Sequence, residues 1–127
     1  MDNSMPILLV PGLVCSPRIY APVVPDLWRF GPVMVANHIR DDNMALIARR
    51  ILAEAPPRFA LAGHSMGGYI AFEIMRQAPE RVAKLALVGP AAPMPVSDLL
   101  QDAALRNDHV AYELITGWSY SAGKQLG

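Results

Sequence analysis

Four short apolar runs punctuate the chain, and each is bounded by a turn signal. "ILLV" (Ile7 to Val10) stops at Pro11-Gly12, and "PVMVA" (Pro32 to Ala36) begins at the turn signal Gly31-Pro32. "RFALAG" (Arg58 to Gly63) follows Pro56-Pro57, and "KLALVG" (Lys84 to Gly89) is closed by Gly89-Pro90. Runs of this length without polar alternation predict strands buried on both faces. Helical patterns lie between them. Asp42 is placed to cap "NMALIARRILAEA", where Met44, Ile47, Ile51 and Leu52 share one face. "GYIAFEIMRQA" sets Ile70 and Ile74 four apart and stops before Pro79. "SPRIYAPVVPDLW" is rich in proline, so any helix in it is short. Alternation of strand and helix predicts an α/β fold, a parallel sheet with helices on both faces.

The character changes after Pro95. Ser97 is placed to cap a helix through Arg106, and Asp108 another through Thr116, with no further strand between them. Two regions are expected: residues 1–95, a sheet-forming core, and residues 96–127, a helical segment. No internal repeat or low-complexity stretch interrupts either.

Composition narrows the function classes. The chain has 127 residues, 53% hydrophobic and only 17% charged, so it must bury a sizeable core and is not of the disordered type. Eleven basic and eleven acidic side chains cancel, neither sign runs in blocks, and no nucleic-acid or anionic-membrane partner is expected. Cys15 is the single cysteine, which excludes an intrachain disulfide and fits a reducing compartment. The start, "MDNSMPILLVPGL", reads as no signal peptide, and no run approaches a membrane span. A cytoplasmic, soluble protein is the expectation.

The chemistry centres on Gly63-His64-Ser65-Met66-Gly67, which fits G-x-S-x-G. In such an elbow a sharp strand-to-helix turn strains the serine backbone and exposes Oγ at the carboxyl end of the sheet. Residues two before and two after the serine must lack bulk, because strand and helix nearly touch there. Gly63 and Gly67 meet that demand, and Gly68 adds room. The competing reading is a tight glycine turn whose serine merely caps the helix. The buried-strand pattern before it and the amphipathic helix after it favour the elbow.

With "ILLVPGL", "FALAGHSMGGYIAFEIMRQAPERVAKLALVGPAAP" and the strand–helix order between them, the sequence resembles the α/β-hydrolase superfamily over about Pro6 to Pro95. The resemblance implies a serine hydrolase acting on an ester or related acyl substrate, with Ser65 as the nucleophile that forms the acyl-enzyme. It also implies an oxyanion hole from two backbone amides, that of Met66 and that of Leu13. Each such donor is worth about 3 kcal/mol in the transition state. In this family the loop before the second donor usually carries His-Gly, but here Pro11-Gly12 stands in its place. The helical segment 96–127 resembles the start of the family's cap. No metal or organic cofactor is implied.

A serine hydroxyl needs a base, and family order places acid and histidine after the serine, on later loops. None of the three histidines suits the role. His64 lies within the elbow, His38 precedes Ser65 and is placed to line the pocket mouth, and His109 falls in a polar helical stretch. The acid's expected place reads Gly89-Pro90-Ala91, while Asp98 and Asp102 read as helix-cap and surface residues. With no strand beyond "KLALVG", that strand would be an exposed apolar edge. The expectation is therefore an incomplete α/β-hydrolase, inactive alone, whose partner is the complementary C-terminal part of the same protein. The rivals are a thioesterase or acyltransferase, although Arg18, Arg40 and Arg106 are too dispersed for a basic entrance, and a non-catalytic binding module that keeps the elbow.

Lesser features change little. Cys15 reads as a small apolar residue near the oxyanion loop, and the seven methionines as core filler. Tyr112, Trp118 and Tyr120 read equally as pocket lining or as packing. No histidine or cysteine cluster has metal-ligand spacing, and no phosphate loop is present.

Overall fold

A computed structural model describes residues 4–89 and 96–119. They fall into two compact units, one within Met1–Pro90 and one within Ala91–Gly127.

In the first unit the four apolar runs are four strands: β1 (Ile7–Val10), β2 (Val33–Val35), β3 (Phe59–His64) and β4 (Val82–Val88). All pair in parallel, in the order β2-β1-β3-β4. Leu8, Leu9 and Val10 are buried consecutively, as a strand covered on both faces requires. Between β1 and β2 the prolines allow only a 3-10 turn, Pro17–Tyr20, and the four-residue α1, Val24–Leu27. The longer crossovers are α2 (Met44–Glu54) and α3 (Met66–Gln77). The β1-to-β2 step runs one way along the sheet and the next two steps run the other way. Right-handed crossovers then put α2 and α3 together on one face and α1 on the opposite face. Ile47, Ala48 and Ile51 of α2 and Ile70, Ala71 and Ile74 of α3 meet Leu8, Val10, Phe59 and Leu61 in one core.

Asn43, rather than Asp42, caps α2. Its Oδ1 accepts from the Ala45 and Leu46 amides at 2.9 and 3.3 Å. The reason lies two residues upstream. Arg50 grips Asp41 through two hydrogen bonds of 2.6 and 3.1 Å, which fixes the approach of the chain and starts the helix at Met44. Gln77 ties α3 to α2 by donating to Ala45 O at 2.9 Å. It also donates to Glu73, whose carboxyl Arg76 and Gln77 together hold down at about 2. A depressed carboxylate stabilises the fold above its unfolded value and loses that contribution only as pH falls toward about 2. Because its partner Arg76 is largely exposed, the effect is small.

Arg81 closes the unit from below. Its guanidinium donates to Leu52 O, Ala55 O, Pro56 O and Pro57 O at 2.8 to 3.2 Å, and lies 5.7 Å from the centre of the Phe59 ring. The C-terminal carbonyls of α2 lack intrahelical donors, and this planar fork supplies them while fixing the entry into β3.

β4 contrasts with β1. It lies at the sheet edge, and Leu85, Leu87 and Val88 are 40, 37 and 58% exposed. In the second unit Ser97 caps α4 (Asp98–Leu105) by accepting from Leu100 N at 3.2 Å. Asp108 accepts from Val110 N at 3.1 Å ahead of α5 (Val110–Ser119), which runs past Thr116. Tyr112 and Trp118 are largely exposed, and Tyr120 lies outside the described residues. Among the described residues no helix is long and apolar enough to cross a membrane.

Arg81→Ala is expected to lower unfolding stability by about 2–4 kcal/mol, because it strands partly buried carbonyls. Arg81→Lys, with three donors on a point charge, should recover only part of that loss. Urea melts of the three proteins check both statements.

Candidate active site

Register brings the chemistry together. Val10 of β1 pairs with Gly63 of β3, so Pro11-Gly12 leaves the sheet beside His64-Ser65. This is also the point where the strand order reverses, and open α/β sheets form their crevice there, beyond the carboxyl ends of the strands.

Ser65 adopts φ 54° and ψ −121°, a conformation that costs a non-glycine residue of order 1–3 kcal/mol. It stands at the N-cap of α3, yet its side chain makes no capping bond. The helix-capping reading of this serine is therefore not what the geometry shows. Its backbone is held instead by Ser65 N donating to Val88 O at 2.8 Å and by Gly68 N donating to Ser65 O at 2.9 Å. The turn is possible only without side chains on either flank. A Cβ on Gly63 would overlap the Gly67 carbonyl and reach 2.8 Å from Gly68 Cα, and one on Gly67 would overlap Val10 O and lie 2.7 Å from Pro11 O.

The loop after β1 lies directly against the elbow. A Cβ on Gly12 would lie 3.1 Å from Ser65 Cβ and 3.2 Å from His64 Nδ1. Leu13 follows at the tip, about half exposed. Cys15 N donates to Gly12 O at 3.2 Å and Val14 has φ 60° while Leu13 does not, which makes Gly12–Cys15 a type II turn. A β-branched residue in the left-handed region is a strained outlier. Two strained non-glycine residues thus sit on neighbouring loops, Val14 on one and Ser65 on the other. Among the described residues the Leu13 and Met66 amides donate to no acceptor. That is the state expected of amides reserved for an incoming oxygen, and Met66 opens a helix whose N-terminal dipole favours negative charge.

The three histidines separate clearly. His38 follows β2, and its Nε2 lies 3.1 Å from Pro11 O and 3.0 Å from Gly12 O. Carbonyl oxygens only accept, so Nε2 carries the proton. His64 Nδ1 is buried without a partner under Gly12, and His109 lies exposed in the other unit, 5.8 Å from the Tyr112 ring. Tyr20 donates to Val10 O at 2.8 Å, supporting the end of β1 from beneath. Burial pushes its hydroxyl pKa up, the nearby Cys15 adds to that, and the His64 backbone partly offsets it.

A cavity of about 340 Å³ opens beside this loop, lined by Pro11, Val14, Cys15, Ala36, His38 and Ile39 among others. His38 lines this cavity, but neither Ser65 nor Leu13 nor Met66 does, so the cavity does not test the expectation that His38 lines the mouth of a pocket at Ser65. Asp98 and Asp102 are exposed on α4. Among the described residues no group of three histidine, cysteine or acidic side chains has the arrangement of a metal site. The hold of His38 on the loop is the feature that sequence reasoning missed. The one available signal was the absence of a histidine from the loop itself.

The family described as serine aminopeptidase, S33, matches residues 7–122. Among solved structures, a marine microorganism esterase is similar with a TM-score of 0.65 and 21% identity, over 84% of this chain and 45% of that one. Cfl2 from Burkholderia cenocepacia is similar with a TM-score of 0.61 and 20% identity, over 94% of this chain and 49% of that one. The chain therefore spans less than half the length of either, and at this identity the likeness is one of fold. No curated protein sequence matches the chain.

Gly67→Ala is expected to destabilise the first unit by at least about 2 kcal/mol, because its new methyl meets two backbone carbonyls that cannot rotate away. A denaturant midpoint indistinguishable from that of the native chain would contradict the close approach of α3 and β1.

Proposed function

The chain belongs to the serine aminopeptidase S33 family of α/β hydrolases, and from that premise we propose that it carries the nucleophile half of an acyl-hydrolase site in which Ser65 forms the acyl-enzyme. The observation that carries this reading is the Ser65 backbone, strained at φ 54° with the side chain withheld from the helix cap. Only a turn of that kind holds a hydroxyl outward on the first turn of a helix.

Ser65 Oγ attacks the carbonyl carbon of an ester or related acyl substrate, and its proton passes to a base as the new C–O bond forms. The carbonyl oxygen takes the negative charge and is held by the Leu13 and Met66 amides. Collapse expels the alcohol or amine with a proton returned by the base, and water then releases the acid from Ser65 by the same steps in reverse order.

The base and its orienting acid come, in this reading, from the complementary part of the protein. His38 has its Nε2 proton committed to the Pro11 and Gly12 carbonyls, and His64 Nδ1 is buried beneath Gly12. The same complementary part would cover the apolar edge of β4, and α4 and α5 would be the start of its cap. A non-catalytic module is disfavoured by the strain at Ser65, which a binding scaffold has no reason to keep.

A biotinylated fluorophosphonate probe tests this, applied to the purified 127-residue chain and to extracts of the producing cells, followed by intact mass and peptide mapping. The expected result is one adduct, on Ser65, absent in Ser65→Ala. It should form slowly on the chain alone and faster in a larger or two-piece species. Fast reaction of the isolated chain would place the base among these residues. Absence of an adduct in both samples would remove Ser65 as a nucleophile.

A further inference from the structure

The geometry points to His38 as a positioning residue that aims the Leu13 amide, an inference that rests on the reading of Leu13 as an oxyanion donor. The amide of Leu13 and the carbonyl of Gly12 belong to one peptide unit. In a trans peptide the N–H and C=O point in opposite directions, so fixing one fixes the other. Gly12 O receives the Nε2 proton of His38 at 3.0 Å and the Cys15 amide at 3.2 Å. Two donors fill both lone pairs of that oxygen, and the Leu13 N–H points the opposite way within the same peptide plane.

The same contact acts on the strength of the donor as well as its direction. Hydrogen bonds to a carbonyl polarise its peptide and make the attached N–H a better donor. The second contact of His38, at 3.1 Å to Pro11 O, spans the neighbouring peptide, so one imidazole N–H braces two successive units of the loop.

His38 is itself well fixed for this work. It stands just past β2, where Ala36 N donates to Leu9 O at 2.8 Å and prolongs the β1–β2 pairing, and the Asn37 side chain closes a turn by accepting from Ile39 N at 3.1 Å. The parallel register that sets Val35 beside Leu9 therefore delivers the imidazole to the chain leaving β1. A histidine on the adjacent strand's loop thus does the bracing that a residue within the Pro11-Gly12 loop does not supply.

The test compares His38→Ala and His38→Gln with the native protein in the species that reacts with the fluorophosphonate. Glutamine carries an Nε2 donor to roughly the place of the imidazole Nε2, whereas alanine carries none. His38→Ala is expected to lower the maximal phosphonylation rate of Ser65 about 10- to 100-fold at an unchanged half-saturating probe concentration, and His38→Gln to recover most of it. The Leu13 amide proton, followed by 15N-edited NMR, should move in His38→Ala and return in His38→Gln. An unchanged maximal rate in His38→Ala, or a His38→Gln protein no faster than it, overturns the proposal. If even the native protein takes no probe, the nucleophile reading of Ser65 fails separately. The NMR then decides alone: a Leu13 signal indifferent to both variants overturns the positioning role, and one that moves and returns upholds it.

Discussion

Everything at this site depends on how closely three stretches of backbone approach one another at the carboxyl ends of β1 and β3. Gly67 on α3 has no room for a Cβ against Val10 O and Pro11 O, Gly63 on β3 has none against Gly67, and Gly12 on the β1 loop lies against Ser65 Cβ. Main-chain atoms cannot rotate out of the way as side chains can, so the contact is either present in full or lost with the turn. Present, it locks the strand-to-helix junction and the β1 loop into one rigid piece. That rigidity sustains two residues, Ser65 and Val14, in conformations which each would leave in a free peptide.

The rest of the first unit can be understood as support for that contact. Parallel pairing of β1 with β3 sets its register, and the core of Leu8, Val10, Phe59, Leu61, Ile70 and Ile74 presses α3 onto the sheet from one side. Arg81 secures the opposite end of β3 by collecting carbonyls from the end of α2. A strand pinned at its start and closely packed at its finish delivers its last residue, His64, and then Ser65, to a defined place. Apolar burial supplies most of the free energy, at about 25 cal/mol per Å². Directional contacts such as those of Arg81 and Asn43 decide where that burial leaves the ends of the elements.

The sequence made legible whatever depends on residues near one another along the chain. Four apolar runs between Gly and Pro signals became the four strands, and G-x-S-x-G in its strand-then-helix context became a strained turn, because both patterns are local. Asp41, Asp42 and Asn43 are all plausible caps by type, and choosing Asn43 required the grip of Arg50 on Asp41, nine residues away. The four carbonyls gathered by Arg81 and the hold of His38 on the β1 loop lie 24 to 29 and 26 to 27 residues apart in sequence. Contacts of that span follow from sheet register, which no composition or periodicity reveals. Val14 illustrates a different limit. Its type argues against a positive φ, so only the folded chain shows that it has one.

In the proposed reading, the histidines bear on how two halves of such a site would divide their tasks. A general base must keep an acceptor nitrogen free and be able to take and return a proton within each cycle. The His38 Nε2 proton is shared between two carbonyls, so removing it would leave a lone pair facing two oxygens, an arrangement that favours a fixed tautomer over a working one. The contact that disqualifies this nitrogen as a base is the one that fits it to brace the loop. The proposed nucleophile, the candidate oxyanion donors and the brace of one donor thus all come from the adjacent strands β2, β1 and β3, where they are mutually rigid. Proton transfer tolerates some mobility, whereas the oxyanion donors must meet a developing charge within a few tenths of an ångström. Hence the rigid, backbone-defined part of the chemistry can reside in one continuous stretch of chain, and the titrating part can be supplied from another.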